Sequence, residues 1–161
     1  MFKESVTGID LPLVAQTLDY TCGAACFESM FRYLRNESTG EMKFAADLGS
    51  LEFKYTPIEN IVKLARDLGF NTELTEQASL NRLREIFAQG PVVFVTWWDE
   101  DAGHYSLVTS IDHDSITLMD PWLAREGRYN RMRITDFNNH WNARGAKIIT
   151  VQNQSQNQSQ N

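Results

Sequence analysis

The residue of this chain best suited to nucleophilic chemistry is Cys22, one of its two cysteines. It begins the segment Cys22–Arg35, in which apolar residues recur with the period of a helix. A thiol attacks a carbonyl carbon only as its thiolate, and both a helix N-terminus and a nearby imidazolium favour that form. Gly23, Ala24 and Ala25 are small and leave room for the carbonyl group of a substrate. These features predict that Cys22 is the nucleophile of a covalent mechanism.

A base that activates this thiol has to come from a distant part of the chain, because such partners are adjacent in the fold rather than in the sequence. His104 opens a predicted strand directly after an acidic, glycine-containing loop, an exposed position that suits a base. The other histidines fit the role less well, since His113 lies in a polar turn and His140 lies beside Trp141. The sequence therefore favours His104 as the general base.

The cysteines and histidines indicate neither a disulfide framework nor a metal site. Cys26 lies four residues after Cys22 on the same predicted helix, so a bond between them would close a very small loop. We expect Cys26 to pack in the core. The histidines at 104, 113 and 140 do not have the spacing of metal ligands, so we expect no metal and no cofactor.

Three segments of the chain resemble motifs of the peptidase C39 and C39-like family. Residues 16–26, QTLDYTCGAAC, resemble the nucleophile motif, and residues 103–108, GHYSLV, resemble the histidine strand. The dipeptide Asp120-Pro121 resembles the family's Asp motif. The segments stand in the order that the family has, and the resemblance spans roughly residues 10–123.

The resemblance implies a papain-like cysteine peptidase fold and a specific set of roles. Cys22 would be the nucleophile, His104 the general acid and base, and Asp120 the group that orients the histidine. Gln16, six residues before the cysteine, would act with the Cys22 backbone N–H as an oxyanion-hole donor. One position departs from the family, which often has Asp directly before the cysteine, where this chain has Thr21. We expect that residue to have a structural role.

The resulting functional hypothesis is a cysteine peptidase that hydrolyses a peptide bond through a Cys22 acyl-enzyme, with a peptide or protein as its substrate. Two alternatives remain open. The same Cys-His-Asp site could carry out acyl or amide transfer, which differs only in the group that attacks the acyl-enzyme. An inactive C39-like domain could bind a peptide without cutting it, although the intact site residues argue against this. Family members that cut double-glycine leader peptides are usually fused to a membrane transporter, which this sequence does not show, so that substrate is not implied.

The nucleophile and its partners must be positioned by helices in the first half of the chain and by strands in the second. Periodicity and capping signals predict helices at residues 22–35, 42–48, 56–68, 79–89 and 135–142, and strands at 70–75, 92–97, 104–111, 116–120, 132–134 and 146–152. Thr56, and Asp19 or Thr21 for the first helix, are the predicted N-caps. Helices followed by an antiparallel meander indicate an α+β fold, with the N-terminal helices packed on an antiparallel β-sheet.

Whether His104 can meet Asp120 depends on the register of two consecutive strands. Side chains alternate between the faces of a sheet, so a regular two-residue turn at His113-Asp114 would place the two side chains on opposite faces. An odd loop, or a β-bulge that restores the parity, would place Asp120 diagonally across from His104 on the same face. The site therefore predicts one of these irregularities and a hydrogen bond between the two side chains.

Length and charge limit the remaining possibilities. The 161 residues suffice for one domain, which we assign to residues 1–151, and the Gln, Asn and Ser residues of 152–161 predict a disordered tail. The net charge is −6 and no basic run is present, which argues against a nucleic-acid partner. No apolar run could span a membrane and the N-terminus lacks the apolar core of a signal peptide, so we expect a cytoplasmic location, with a secreted or periplasmic one left open. No feature of the sequence indicates an oligomeric state.

An acidic loop precedes the predicted base. Asp99, Glu100 and Asp101 stand a few residues before His104, so we expect them to rim the substrate cleft. Such a rim would favour basic or neutral peptides over acidic ones, and the preference would weaken in salt.

Overall fold

The computed structural model of the protein describes residues 8–98 and 103–154. In these ranges the helices are α1 (Cys22–Arg35), α2 (Glu41–Asp47), α3 (Ser50–Phe53), α4 (Ile58–Asp67), α5 (Leu80–Ala88) and α6 (Ile134–Ala143), with a 3₁₀ turn at Leu123–Glu126. The strands are β1 (Asn71–Thr75), β2 (Val92–Trp97), β3 (His104–Ile111), β4 (Ser115–Met119), β5 (Asn130–Arg133) and β6 (Ile148–Gln152). None of these helices is long and apolar enough to cross a membrane.

The strands form one antiparallel sheet in the order β1-β6-β2-β3-β4-β5. The C-terminal strand β6 lies between β1 and β2 and is hydrogen-bonded to both. The predicted α+β class is confirmed, and α1 has the predicted bounds. The two short elements that the sequence did not predict are α3 and the 3₁₀ turn.

Helices cover both faces of the sheet, and side chains alternate between two cores. On β2, Val92 and Phe94 belong to the core that contains the buried residues of α1, whereas Val93, Val95 and Trp97 belong to the core that contains those of α5 and α6. A strand buried on both faces is apolar at successive positions, which explains why β2 does not alternate with polar residues. The N-terminal helices cover one face, as predicted, and α5 and α6 cover the other.

Helix α1 is the central helix of the fold, and this fixes the position of Cys22. All residues from Cys22 to Phe31 are buried. Phe27 lies between Phe44 of α2, at 4.7 Å between ring centroids, and Phe94 of β2, at 6.5 Å. Burial of one such side chain contributes about 1.5–3 kcal/mol. The start of α1 is therefore anchored to both α2 and the sheet.

The β3–β4 hairpin combines a two-residue turn with a β-bulge. The N–H of Asp112 donates to the carbonyl oxygen of Ser115 at 2.9 Å, so the turn is the regular one. Further along the hairpin the register shifts, because Thr109 has no partner in the ladder between Val108 and the next paired residue of β3. The sequence prediction of an odd loop or a parity-restoring bulge is thus confirmed in its second form.

The bulge decides which residues share a face at the far end of the hairpin. Val108 pairs with Leu118, so their side chains point to the same face of the sheet. Alternation from Val108 back to His104, and from Leu118 on to Asp120, places both of these side chains on that face as well. If Thr109 were instead paired with a residue of β4 in a regular ladder, the same turn would have placed the two side chains on opposite faces.

Local details correct three sequence predictions. Thr56 does not cap α4, because its buried hydroxyl bonds to Ser50 Oγ at 2.6 Å and packs against Gly23, so it is turned away from the helix. Thr21 precedes α1 but makes no capping bond, since its hydroxyl turns back to Leu18. The tail prediction began too early, because Gln152 pairs with β1 as part of β6; residues 155–161 lie outside the described residues.

Deletion of Thr109 should leave His104 and Asp120 on one face, because it removes the extra residue and makes the hairpin regular. Insertion of a second threonine after Thr109 is the matched control, since one bulge cannot accommodate two extra residues. We expect the deletion variant to keep a His104 ring proton hydrogen-bonded in NMR spectra, with a modestly lower melting temperature. We expect the insertion variant to lose it. Loss of that signal in the deletion variant alone would contradict the role of the bulge.

Candidate active site

The thiol of Cys22 lies at the N-terminus of α1 and faces a cleft. Its side chain is 8% exposed, and the backbone N–H of Tyr105 on β3 donates to Sγ at 3.5 Å. Cys26, one turn further on, is fully buried, and this burial raises the pKa of its thiol. The two cysteines are therefore in different environments, with only Cys22 open to a substrate.

His104 and Asp120 meet as the shared face of the hairpin requires. The Nε2 atom of His104 lies 2.6 Å from Oδ1 of Asp120. Asp120 is 5% exposed and also accepts from the backbone N–H of Trp122 and from Nδ2 of Asn130, both at 3.0 Å. Burial by itself would raise the pKa of Asp120, but the hydrogen bonds from His104, Asn130 and Trp122 outweigh it and hold that pKa below its usual range.

His104 lies between the acid and the thiol. Because Nε2 is bonded to Asp120, Nδ1 is the ring nitrogen left for Cys22. Burial alone would lower the pKa of His104, but its hydrogen bonds to Asp120 and Cys22 and the charges of both groups raise it to about 10. The surroundings of His104 therefore stabilise its protonated form.

The structure brings Gln16 to the cleft, but with its amide group engaged. Nε2 donates to the carbonyl oxygens of Leu18, at 2.8 Å, and Asp19, at 3.2 Å, while Oε1 is buried without a partner in the described part of the chain. The backbone N–H of Gln16 donates to Pro121 O at 3.1 Å, and Arg125 Nε donates to its carbonyl oxygen at 3.0 Å. Gln16 thus ties the segment before Cys22 to the segment after Asp120.

Glu41, which sequence reasoning missed, holds the loop between Gln16 and Cys22. Its carboxylate accepts from the backbone N–H of Thr17 at 2.7 Å, from the Thr17 hydroxyl, and from the Thr21 hydroxyl at 2.6 Å. Thr21 stands where the family often has Asp, and here the carboxylate that binds its side chain comes from α2. The prediction of a structural role for Thr21 agrees with these contacts.

A buried carboxylate fixes the turn that leads into α2. Glu28 of α1 accepts from the backbone N–H groups of Thr39, at 3.1 Å, and Gly40, at 2.8 Å, from Ser38 Oγ at 2.7 Å, and from Arg32 Nε at 2.5 Å. Burial would raise the pKa of Glu28, but these hydrogen bonds outweigh it and lower that pKa. Glu28 therefore fixes the position from which Glu41 reaches the loop before Cys22.

The cleft has a volume of about 880 Å³, and aromatic side chains form much of its wall, among them Tyr20, Tyr55, Trp97, Trp98 and Trp122. Trp122 is 46% exposed and Trp98 is 52% exposed, so the cleft is open to solvent. The His140 ring packs against Trp98 at 4.4 Å between ring centroids, with the two planes tilted by 54°. The predicted acidic rim, residues 99–101, lies outside the described residues.

No metal site accompanies these groups in residues 8–98 and 103–154, where no three His, Cys, Asp or Glu side chains cluster suitably.

Asn130 and Tyr105 are further residues of the site that sequence reasoning did not single out. Tyr105 directly follows His104 on β3, so its buried side chain points to the opposite face of the sheet. The alternation of side chains along the strand could therefore have indicated a residue that lies beneath the site. Asn130 gives no comparable signal, because it opens β5 after a loop.

Several solved structures share this fold. The peptidase domain of Streptococcus ComA, a bifunctional ABC transporter involved in quorum sensing, has a TM-score of 0.75 at 21% identity, covering 90% of this chain and 100% of that domain. A C39-like peptidase from Bacillus anthracis has a TM-score of 0.73 at 16% identity, covering 96% and 100% of the two chains. A double glycine motif protease from an AMS/PCAT transporter, in complex with the leader peptide, has a TM-score of 0.70 at 15% identity, covering 93% and 96%. The predicted fold is confirmed.

Sequence comparison identifies the family. An uncharacterized protein of Methanothermobacter thermautotrophicus is 29% identical over 126 residues, which is 78% of this chain and 82% of that protein. The profile of the peptidase C39 family matches residues 10–156, a span that contains the cysteine, histidine and aspartate motifs. This chain belongs to the peptidase C39 family.

Proposed function

We propose that the protein is a cysteine peptidase that hydrolyses a peptide bond through an acyl-enzyme on Cys22. The observation that carries the proposal is the position of His104, with Nε2 on the Asp120 carboxylate and the ring beside Cys22 at the wall of the same open cleft. A nucleophile, a base and a group that orients the base, arranged in that order, are the parts that acyl transfer requires.

The reaction follows from these contacts. His104 takes the proton of the Cys22 thiol, and the thiolate attacks the carbonyl carbon of the scissile bond. His104 then gives that proton to the leaving amine as the C–N bond breaks, which leaves a thioester on Cys22. Water attacks the thioester with His104 as the base, which releases the acid and restores the thiol. Asp120 stabilises the imidazolium in both halves of the reaction.

The oxyanion of each tetrahedral intermediate needs hydrogen-bond donors. The backbone N–H of Cys22, at the start of α1, is one candidate. The Gln16 amide is the other, and the longer of its two bonds, 3.2 Å to Asp19 O, is the one we expect it to exchange for the oxyanion. The shorter bond to Leu18 O would hold the amide in place during that exchange.

Hydrolysis is favoured over acyl transfer because the cleft is open to water on the side of Trp98 and Trp122. The protease of the AMS/PCAT transporter is in complex with a leader peptide, which supports an extended peptide as the ligand of the same cleft here. The intact Cys22, His104 and Asp120 contacts support an active enzyme over an inactive peptide-binding domain.

The proposal is tested by digestion of a mixed peptide library in H₂¹⁸O, with mass spectrometry of the products. We expect new C-termini that carry ¹⁸O, and we expect Cys22→Ala to lower the rate by roughly 10⁴-fold or more. Cys26→Ala is the matched control and should retain most of the activity, because Cys26 lies in the core. Equal cleavage by wild type and Cys22→Ala, or transfer products without ¹⁸O, would refute hydrolysis at Cys22.

Gln16→Ala should lower kcat by roughly 10²–10³, the usual effect of losing one oxyanion donor. The same change also removes the amide bonds to Leu18 and Asp19, so thermal unfolding has to be measured beside kcat. A variant that melts like wild type but loses activity supports the oxyanion role. Unchanged kcat would remove Gln16 from the site, and a large loss of stability would make its role structural.

The raised pKa of His104 predicts a pH dependence of stability. Its pKa is about 10 in the folded protein against 6.5 for the free side chain, so its contribution to stability is complete below pH 6.5 and lost as the pH rises towards 10. We expect the free energy of unfolding, measured with urea, to fall over this interval. Asp120→Asn removes a cause of the raised pKa and should flatten the fall, as should His104→Gln. Equal slopes in wild type and His104→Gln would contradict the assignment.

A further inference from the structure

A second cavity of about 410 Å³ opens beside the active-site cleft. The two share Tyr55, Thr56, Gly103 and Tyr105 as lining residues. Tyr105 links them directly, because its N–H donates to Cys22 Sγ and its hydroxyl donates to Thr56 O at 2.8 Å. A peptide bound at Cys22 would therefore reach this cavity within a short length of chain.

Two cationic side chains line this cavity. Arg144 and Lys147 are both half-buried, and neither lies within 4 Å of a carboxylate of the described residues. The guanidinium of Arg144 lies so close to Gly103 that a Cβ atom there would be 2.9 Å from Nη2. Gly103 precedes His104, so this charge lies near the catalytic base. Half-buried cations that have no carboxylate partner among the described residues suit an anionic ligand.

The other walls of the cavity also suit an anion. The N-terminus of α4 lines it through Pro57, Ile58 and Glu59, and a helix N-terminus favours negative charge. Thr96 also lines the cavity, and its Oγ1 atom is buried without a hydrogen-bond partner among the described residues. Glu59 is exposed and supplies one negative charge against the two positive ones. Among the described residues that line the cavity, the formal charges therefore leave one positive charge in excess, which fits a carboxylate.

We propose that this cavity, defined by Arg144, Lys147, Thr96 and the start of α4, binds a carboxylate of the peptide substrate. The carboxylate is that of an Asp or Glu side chain or that of the peptide's C-terminus. The proposal rests on the proposed function, because it places the ligand in continuity with the Cys22 cleft. It predicts a preference opposite to that of an acidic rim at residues 99–101, so the two expectations are separable by experiment.

The test uses the Cys22→Ala protein, in which binding is measured without cleavage. Random decapeptide pools with Glu fixed at each successive position are compared with pools that carry Gln there, by affinity selection and mass spectrometry at low salt. A further pair of pools with free or amidated C-termini distinguishes the two sources of the carboxylate. We expect enrichment of roughly fivefold or more for Glu at one position, or for the free C-terminus.

The added Arg144→Gln and Lys147→Gln substitutions should abolish the enrichment, so that Glu and Gln pools bind equally. The added Lys63→Gln and Arg82→Gln substitutions are the matched control, since they remove the same charge from exposed helix positions elsewhere. Equal binding of Glu and Gln pools, or a preference that survives loss of Arg144 and Lys147, would overturn the inference. Acidic binding without cleavage by wild type would instead refute the proposed function alone.

Discussion

The hydrogen bond between His104 and Asp120 is the interaction on which the rest of the site depends. Asp120 lies just beyond the end of β4, where a buried carboxylate without partners would be costly. Its oxygens are satisfied by the imidazole, the Trp122 N–H and the Asn130 amide, three donors from separate parts of the chain. These contacts fix the carboxylate, and its bond to Nε2 leaves the second imidazole nitrogen of His104 free for Cys22.

Two further carboxylates, one of them buried, fix the Cys22 side of the cleft. Both cysteines are free, so no covalent link holds the segment from Gln16 to Cys22 against the rest of the fold. Glu41 binds this segment through the side chain and backbone of Thr17 and the side chain of Thr21, and Glu28 fixes the turn that carries Glu41. The site is therefore positioned by hydrogen bonds to ionised groups, which are stronger than neutral ones.

Local signals predicted the elements that carry the chemistry, and distant contacts could not be predicted. The periodicity from Cys22 onward gave α1 its bounds, and alternation of side chains required an irregular hairpin before Asp120 could meet His104. A β-branched residue such as Thr109 suits a regular strand as well as a bulge, so the sequence did not select between a bulge and an odd loop. Glu41 contacts Thr17 across 24 residues, and a glutamate at a helix start is ordinary without that contact.

The most direct test of the central claim is the relative alkylation rate of the two cysteines near neutral pH. Brief treatment with iodoacetamide, followed by peptide mass spectrometry, measures both rates in one sample. Cys22 should react far faster than Cys26, because it alone combines a helix N-terminus, an imidazole partner and access to the cleft. Substitution of His104 by glutamine should slow the reaction of Cys22 alone. Equal labelling of the two cysteines, or faster labelling of Cys26, would contradict the assignment of Cys22 as the nucleophile.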